Sequence, residues 1–447
     1  MRDIALTAVI FALLPVCFAR PWIGVLAWYW FGLMNPHLLT WGFARSWPFA
    51  MMIALATLTG ALLARDRKPI PWNRELVLVV LLLGYFTFTT FFAWAPQAAW
   101  AYLEQLSKIL LMTFVATVFI YGKQRVRALM LVIGLSLAFY GVKGAIFTVT
   151  TGGANHVQAP EAAFIGGNTF LGLALNMVIP VLVSLAREER TKAMRVFLNF
   201  CAACCVISTV FTYSRGAVLG LAVVLPLLFF KNPRKAWGTM AFLLVAGLVT
   251  VFVAPEALWK RTETIETYQQ DRSAMQRLRA WGVAWNIAKD RPLTGAGFQF
   301  ENSPDSARWF SYVEPGMEDY GPSTHAAHSV YFQVLGQHGF VALGLYLLLL
   351  VFALLTLTRI RRNALIYKET VWISTYAEGL RIGVLAWAIS GAFLNAAYFD
   401  LYFVFVASTA ILGRELSASL RSTAICVSER RIESVPHAGA LAERQGR

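Results

Sequence analysis

Apolar residues run along this chain in blocks long enough to bury a helix on every side, broken by short polar connectors. The blocks fall near residues 48–64, 76–93, 106–121, 127–150, 169–186, 195–212, 216–230, 236–254, 339–358, 381–396 and 398–413. Such near-continuous stretches, almost free of charge, predict helices that cross a membrane. The first forty residues carry two shorter runs, 4–19 and 22–35, separated by Arg20-Pro21 and containing Pro15. They predict two spans or one broken element, because proline is tolerated where neighbouring helices re-satisfy the backbone. No small-x-small cleavage site leading to a soluble domain follows, so the N-terminal run reads as a retained first span. The pattern predicts an all-α polytopic membrane protein of about 12 transmembrane helices with one large loop.

The connectors set an orientation. Arg65/Arg67/Lys68/Arg74, Lys123/Arg125/Arg127, Arg187/Arg190/Lys192/Arg195, Lys231/Arg234/Lys235 and Arg359/Arg361/Arg362 alternate with 94–104, 151–168 and 397–401, which lack basic residues. Basic connectors stay in the cytoplasm, so the poor set is expected outside and both termini inside. The expected parts are an N-terminal transmembrane bundle at 1–254, a large outer loop at 255–325, C-terminal transmembrane helices at 326–413, and a disordered cytoplasmic tail at 414–447.

Composition agrees: 58% of the 447 residues are hydrophobic and 14% charged, with mean hydropathy +0.58. The 32 Phe, 15 Trp and 15 Tyr suit a lipid-facing surface with interfacial aromatic belts. A net charge of +15 would suit nucleic acid, but the basic residues fall in short clusters between apolar runs, which excludes nucleic-acid binding. Cys17, Cys201, Cys204 and Cys205 lie inside apolar runs, with Cys426 in the tail; they read as small core residues, without zinc spacing or a disulfide framework.

The loop at 255–325 is the first place to look for chemistry, since loops this long are usually functional. Between 271 and 289 it predicts an amphipathic helix with Ala274, Leu278, Trp281, Trp285 and Ala288 on one stripe. Arg277 and Arg279 flank that stripe on opposite sides, so one ligand is not expected to meet both. The helix ends before Arg291-Pro292, and Gly295-Ala296-Gly297 makes a tight turn; it is not a nucleotide fingerprint, as no strand precedes it. Ser323 and Thr324 then predict a helix start, which places His325 and His328 on one face of a first turn. The dipole there favours an anion and a neutral imidazole, a usable base; the alternative is a pair of interfacial histidines without chemistry.

Arg215, in Phe-Thr-Tyr-Ser-Arg-Gly-Ala, sits between two apolar runs with no true loop around it. An arginine at that depth on the outer side is a functional candidate whose expected partner is an anion, and its planar fork matches phosphate oxygens. The alternative is a snorkelling anchor. Lys108 lies near the outer start of its span, where snorkelling and function are equally expected, whereas Lys143 is expected to face the bundle interior. His156 reads as an exposed loop histidine. Arg215, the loop helix and the two histidines all fall on the outer side, which fits an anionic, lipid-linked substrate. No Asp-Asp or Asp-x-Asp pair lies near that face, so a metal-independent mechanism is favoured.

These residues resemble the O-antigen ligase and polymerase family, integral membrane enzymes acting on polyprenyl-diphosphate-linked glycans. Ser214-Arg215-Gly216 begins the resemblance, which runs through the loop to residue 344 and extends to the overall topology. Arg277-Leu-Arg-Ala-Trp281 with Pro292-Leu-Thr-Gly-Ala-Gly297 is similar to the family's Arg-xxx-Trp … Pro-Leu-x-Gly-x-Gly signature. His328-Ser329, nine residues, then Gly339 resembles the ligase pattern, with Ala342 departing from its last position. Asn168, before the run containing Pro180, is similar to a family asparagine. The opening residues and 22–35 also resemble ligases associated with exosortase systems, whose acceptor can be a protein.

The resemblance implies a GT-C-like glycosyltransferase of the bacterial inner membrane with its active site facing the periplasm. The donor would be a glycan on undecaprenyl diphosphate and the acceptor a sugar hydroxyl of the lipid A-core. His328 would be the base, and Arg215 and Arg277 would hold the diphosphate, with Arg279 and His325 as further diphosphate-binding candidates. Lys143, Asn168 and Tyr331 are secondary candidates. Neither cofactor nor metal is expected, and the expected partners are the donor, the acceptor and membrane lipid. Rival readings are a polymerase, a protein O-glycosylation ligase and, in another class, a lipid-linked glycan flippase.

Overall fold

The apolar runs become helices because only a helix satisfies all its own backbone groups without water. The computed structural model describes residues 1–229, 272–303 and 326–433. The expected span at 236–254 and the loop residues 304–325, His325 among them, lie outside the described residues.

The opening runs form two helices, α1 (Arg2–Ala19) and α2 (Pro21–Met34), broken at Arg20. Pro21 starts α2, where its missing N–H costs nothing. There follow α3 (Phe49–Leu63), α4 (Arg74–Thr90), α5 (Pro96–Phe119), α6 (Gly122–Thr150), α7 (Gly167–Glu188), α8 (Lys192–Val210) and α9 (Arg215–Phe229). Beyond the undescribed stretch come α10 (Arg272–Asp290), α11 (Val330–Asn363), α12 (Val371–Ser390) and α13 (Asp400–Glu433). Among the described residues no strand forms, and the only β-type pairing is an isolated bridge between Ala159 and Gly167. Seven of these helices are long and apolar enough to cross a membrane. The chain is an all-helical, polytopic membrane protein.

Two elements depart from the hydropathy pattern. The run at 381–396 is covered by α12, which starts at Val371 and stops at Ser390. Glu378 and Arg381 extend the helix backwards because they neutralise each other, Arg381 donating to both carboxylate oxygens at 2.9 and 3.0 Å. Residues 391–399 are then a turn. At the other end, α13 continues to Glu433, past residue 414 where a disordered tail was expected.

α7 lies at the centre, with every residue from Leu171 to Ala186 buried. It packs on α6, α8, α9 and α12. Cys201, Cys204 and Cys205 are buried on α8, and at Gly141 of α6 a β-carbon would stand 2.4 Å from the Cys205 sulfur. The cysteines are therefore small packing residues. A second, smaller cluster around Ile10, Phe31, Phe49 and Ile53 holds α1 to α3 together.

α11 is bent at Gly339, where φ is 77° and ψ −172°. The bend releases the Gly336 and Gln337 carbonyls and the Phe340 amide from the helical ladder. The turn at 292–297 takes up all three. The Ala296 and Gly297 amides donate to Gly336 and Gln337 at 3.0 and 2.8 Å, and Phe340 donates to the Pro292 carbonyl at 2.9 Å. The Trp94 amide donates to the Ala296 carbonyl at 2.9 Å, which ties the turn to the α4–α5 connection. Below it the buried His338 ring lies 2.6 Å from the Thr89 hydroxyl and against Phe86 and Phe298.

A β-carbon at Gly339 would stand 2.3 Å from the Pro292 carbonyl oxygen, on a backbone that L side chains avoid. Gly339→Ala is expected to lose on the order of 1–3 kcal/mol to backbone strain, before any clash, and to lower the thermal midpoint of the purified protein. Gly344→Ala, on an open helical face, is expected to leave the midpoint unchanged or raise it. Equal midpoints for Gly339→Ala and wild type would contradict this account of the bend.

Candidate active site

Three helices, α7, α9 and α11, begin at the end of the bundle where α12 stops. α8 ends at Val210, and residues 211–214 turn the chain into α9. Tyr213 adopts φ 53°, a conformation rarely taken by an aromatic residue, and its hydroxyl donates to the Gly153 carbonyl. The Asn168 amide at the start of α7 donates to the Thr212 carbonyl at 2.8 Å. Ser214 caps α9: its hydroxyl accepts from the Ala217 amide at 3.3 Å and its carbonyl from Val218 at 3.0 Å. Arg215 is thus the first residue of the helix, and it is exposed. A cation at that end opposes the helix dipole. An anion bound there would meet both the guanidinium and the positive end of the dipole.

α11 begins later than the sequence pattern suggests. Ser329 is its N-cap, Val330 its first residue, and His328 lies just outside it with φ 46°. A residue in that left-handed conformation cannot sit inside a first turn, so the expected helix start at Ser323–Thr324 does not carry His328. His328 is instead an exposed residue on a strained corner. Strained backbone of this kind collects at functional sites.

The corner is held from two sides. The Trp281 indole N–H on α10 donates to the Ala327 carbonyl at 2.7 Å, and its ring stacks on Phe332 at 5.0 Å. Tyr331 donates its hydroxyl to the Ala388 carbonyl at 2.8 Å, so this candidate anchors α11 to α12. The end of α12 links the two helix starts. A β-carbon at Gly216 would meet Phe393 at 3.2 Å, and one at Gly391 would meet Val330 at 2.9 Å. Asn176 of α7 reaches both sides, donating to the Ala217 carbonyl at 2.7 Å and to the Ser390 hydroxyl at 3.3 Å. Arg215 and His328 therefore flank one turn.

α10 is a helix as expected, but its buried face is not the expected stripe. Ala280, Val283, Ala284, Ile287 and Ala288 are buried, whereas Leu278 and Trp285 are 41% and 47% exposed. The small residues win the inner face because α11 comes so close: a β-carbon at Gly336 would lie 3.0 Å from that of Ala284. Arg279 falls on the buried side and Arg277 is half-buried. Lys143, expected to face the bundle interior, is exposed on the outer surface of α6, in an apolar groove with Phe139, Ile146 and Phe200. Lys108 pairs with Glu104 one turn away at 2.5 Å. Among the described residues no three His, Cys, Asp or Glu side chains gather to hold a metal.

The sequence reading passed over Asn176 and took Glu301 only as one of several acids in the loop. A lone asparagine inside an apolar run is the kind of signal that could have flagged the first. Glu301, after the 292–297 turn, loses enough water that burial pushes its carboxyl up to about 7. The folded state then holds a proton that the unfolded chain releases near its ordinary value of 4.5. Stability is expected to fall as pH rises from about 4.5 through about 7, where the folded group finally ionises. Glu301→Gln should remove that fall, read as thermal midpoints across pH. A mutant whose midpoint follows wild type at every pH would contradict the shift.

Trp281→Phe keeps the stacking on Phe332 and deletes only the bond to Ala327. If that bond holds His328 in place, the variant should lose roughly tenfold in turnover, about the worth of one hydrogen bond, with little change in thermal midpoint. Wild-type turnover would show that stacking alone sets the corner.

The chain was compared with known proteins. Residues 1–190 match a family of unknown function (DUF5935). No curated protein matches the chain. Residues 200–347 match the family described as O-antigen ligase, which supports a ligase- or polymerase-type function in glycan assembly. That stretch, about a third of the chain, holds Arg215, Arg277, Arg279, His325, His328 and the bend at Gly339.

Proposed function

We propose that the protein is a glycosyltransferase of the inner membrane, an O-antigen ligase that moves a glycan from undecaprenyl diphosphate to a sugar hydroxyl of the lipid A-core. The observation that carries the reading is the pairing, around one turn, of an exposed arginine at a helix start with an exposed histidine on a strained corner. The family match over the same residues supports it.

His328 takes the proton from the acceptor hydroxyl as its oxygen bonds to the anomeric carbon. The bond from that carbon to the diphosphate oxygen breaks, and the electron pair leaves with the diphosphate. Arg215 and Arg277 hold the diphosphate and stabilise the charge it gains. Attack opposite the leaving group inverts the anomeric carbon. The donor is already activated, so neither nucleotide nor metal is required. In this reading the site faces the periplasm and the architecture is of the GT-C kind.

The test is reconstitution of purified protein in detergent with lipid-linked glycan and lipid A-core. Product is expected without nucleotide and with little loss in excess EDTA. A flippase would form no product, and loss on chelation restored by one divalent ion would contradict the metal-free mechanism. In the same assay His328→Ala should lose on the order of 10²–10⁴-fold while remaining folded, the usual worth of a general base. Arg215→Lys should be nearly as damaging as Arg215→Ala, because an ammonium keeps the charge and loses the fork. Near-normal transfer by His328→Ala would remove its role, and full activity of Arg215→Lys would reduce Arg215 to a general positive field.

A further inference from the structure

Beside the two helix starts lies a cavity of about 280 Å³ whose lining carries no cation. Tyr102 and Gln105 come from α5, Glu161 from the 151–166 connection, and Asn395 and Asp400 from the stretch leading into α13, with Phe164 closing one side. It shares walls with the site described above. Gly166 and Phe170, also in its lining, bracket Asn168, which holds the turn before Arg215. On the other side the Ala397 amide donates to the Gln333 side chain on the first turns of α11 at 3.1 Å, and the Tyr398 hydroxyl to Gln337 at 2.7 Å.

The lining is selective by its chemistry. The lining holds two carboxyl groups and no cation, so nothing in it attracts a phosphate. The carboxyl groups accept hydrogen bonds strongly, and the Asn395 side-chain oxygen is buried with no hydrogen-bond partner. Aromatic rings offer a face for C–H groups. Several acceptors around one aromatic wall suit a ligand that is rich in hydroxyls, uncharged, and apolar on one face. The volume lies just below the ~300 Å³ at which small-molecule sites begin, which is room for one ring and not for a chain.

We propose that this cavity is a sugar-binding subsite that receives one neutral sugar ring beside the reacting centre, recognised by Asp400, Glu161, Gln105 and Asn395. The inference rests on the glycosyltransferase reading above, and the ring belongs either to the lipid-linked donor or to the acceptor.

Binding to the purified full-length protein separates these. Three probes are used: undecaprenyl diphosphate, the same lipid carrying one N-acetylglucosamine, and rough lipopolysaccharide. Asp400→Asn and, at an exposed position that folding does not depend on, Gln105→Ala should each bind undecaprenyl diphosphate as wild type does. Each should weaken roughly tenfold, about one hydrogen bond to a charged or polar group, for the glycosylated lipid if the ring is the donor's, or for lipopolysaccharide if it is the acceptor's. Wild-type affinity of both variants for all three probes would overturn the subsite and leave the proposed reaction standing. Arg215→Ala should weaken the two diphosphate lipids alike. If it weakens neither, the diphosphate site fails and this inference falls with it.

Discussion

The bend at Gly339 is the constraint on which the rest of the site depends. A membrane helix cannot leave backbone groups unpaired in a water-poor interior. The three groups freed by the bend are paired by Pro292, Ala296 and Gly297. This fixes the end of α10 to α11, and through Trp281 it fixes the Ala327–His328 corner to α10. The Pro-Leu-x-Gly-x-Gly run and Gly339, separated from His328-Ser329 by nine residues, thus meet one another. Their spacing serves a joint between two elements, and the chemistry is left to the side chains that the joint positions.

How much could be read without the structure follows from what each feature depends on. The spans depend on runs of apolar residues, a local property, and most of the described helices coincide with them. α12 does not, because its charges are cancelled by an ion pair that a hydropathy window cannot see. The inner face of α10 was misjudged for a similar reason. Periodicity favours the large residues Leu278 and Trp285, whereas the actual neighbour, Gly336 on α11, admits only small ones. The handedness of the backbone at Tyr213 and His328 has no sequence signal, since both residues usually avoid it. Lys143 could be placed on a helix but not on a face.

The candidate site shows the same division. Arg215 stood out because a charge beside apolar runs is costly, and the structure adds that it opens a helix capped by Ser214. His328 was singled out for a helix start that lies two residues further on. What brings the two together is a set of polar contacts inside the bundle, chiefly those of Asn176 and Asn168. Those contacts hold the start of α9 against the ends of α8 and α12. Strain at Tyr213 and His328 is tolerated because the surrounding hydrogen bonds over-determine both corners.

The central claim is that an anionic diphosphate sits at the first turn of α9, next to His328. A structure of the protein determined by electron cryomicroscopy with undecaprenyl diphosphate bound tests it most directly. The account predicts both phosphates against Arg215, with His328 facing the side from which an acceptor would approach. Phosphates found instead at the opposite end of α12, beside Arg361 and Arg381 where Glu378 now pairs with them, would contradict it.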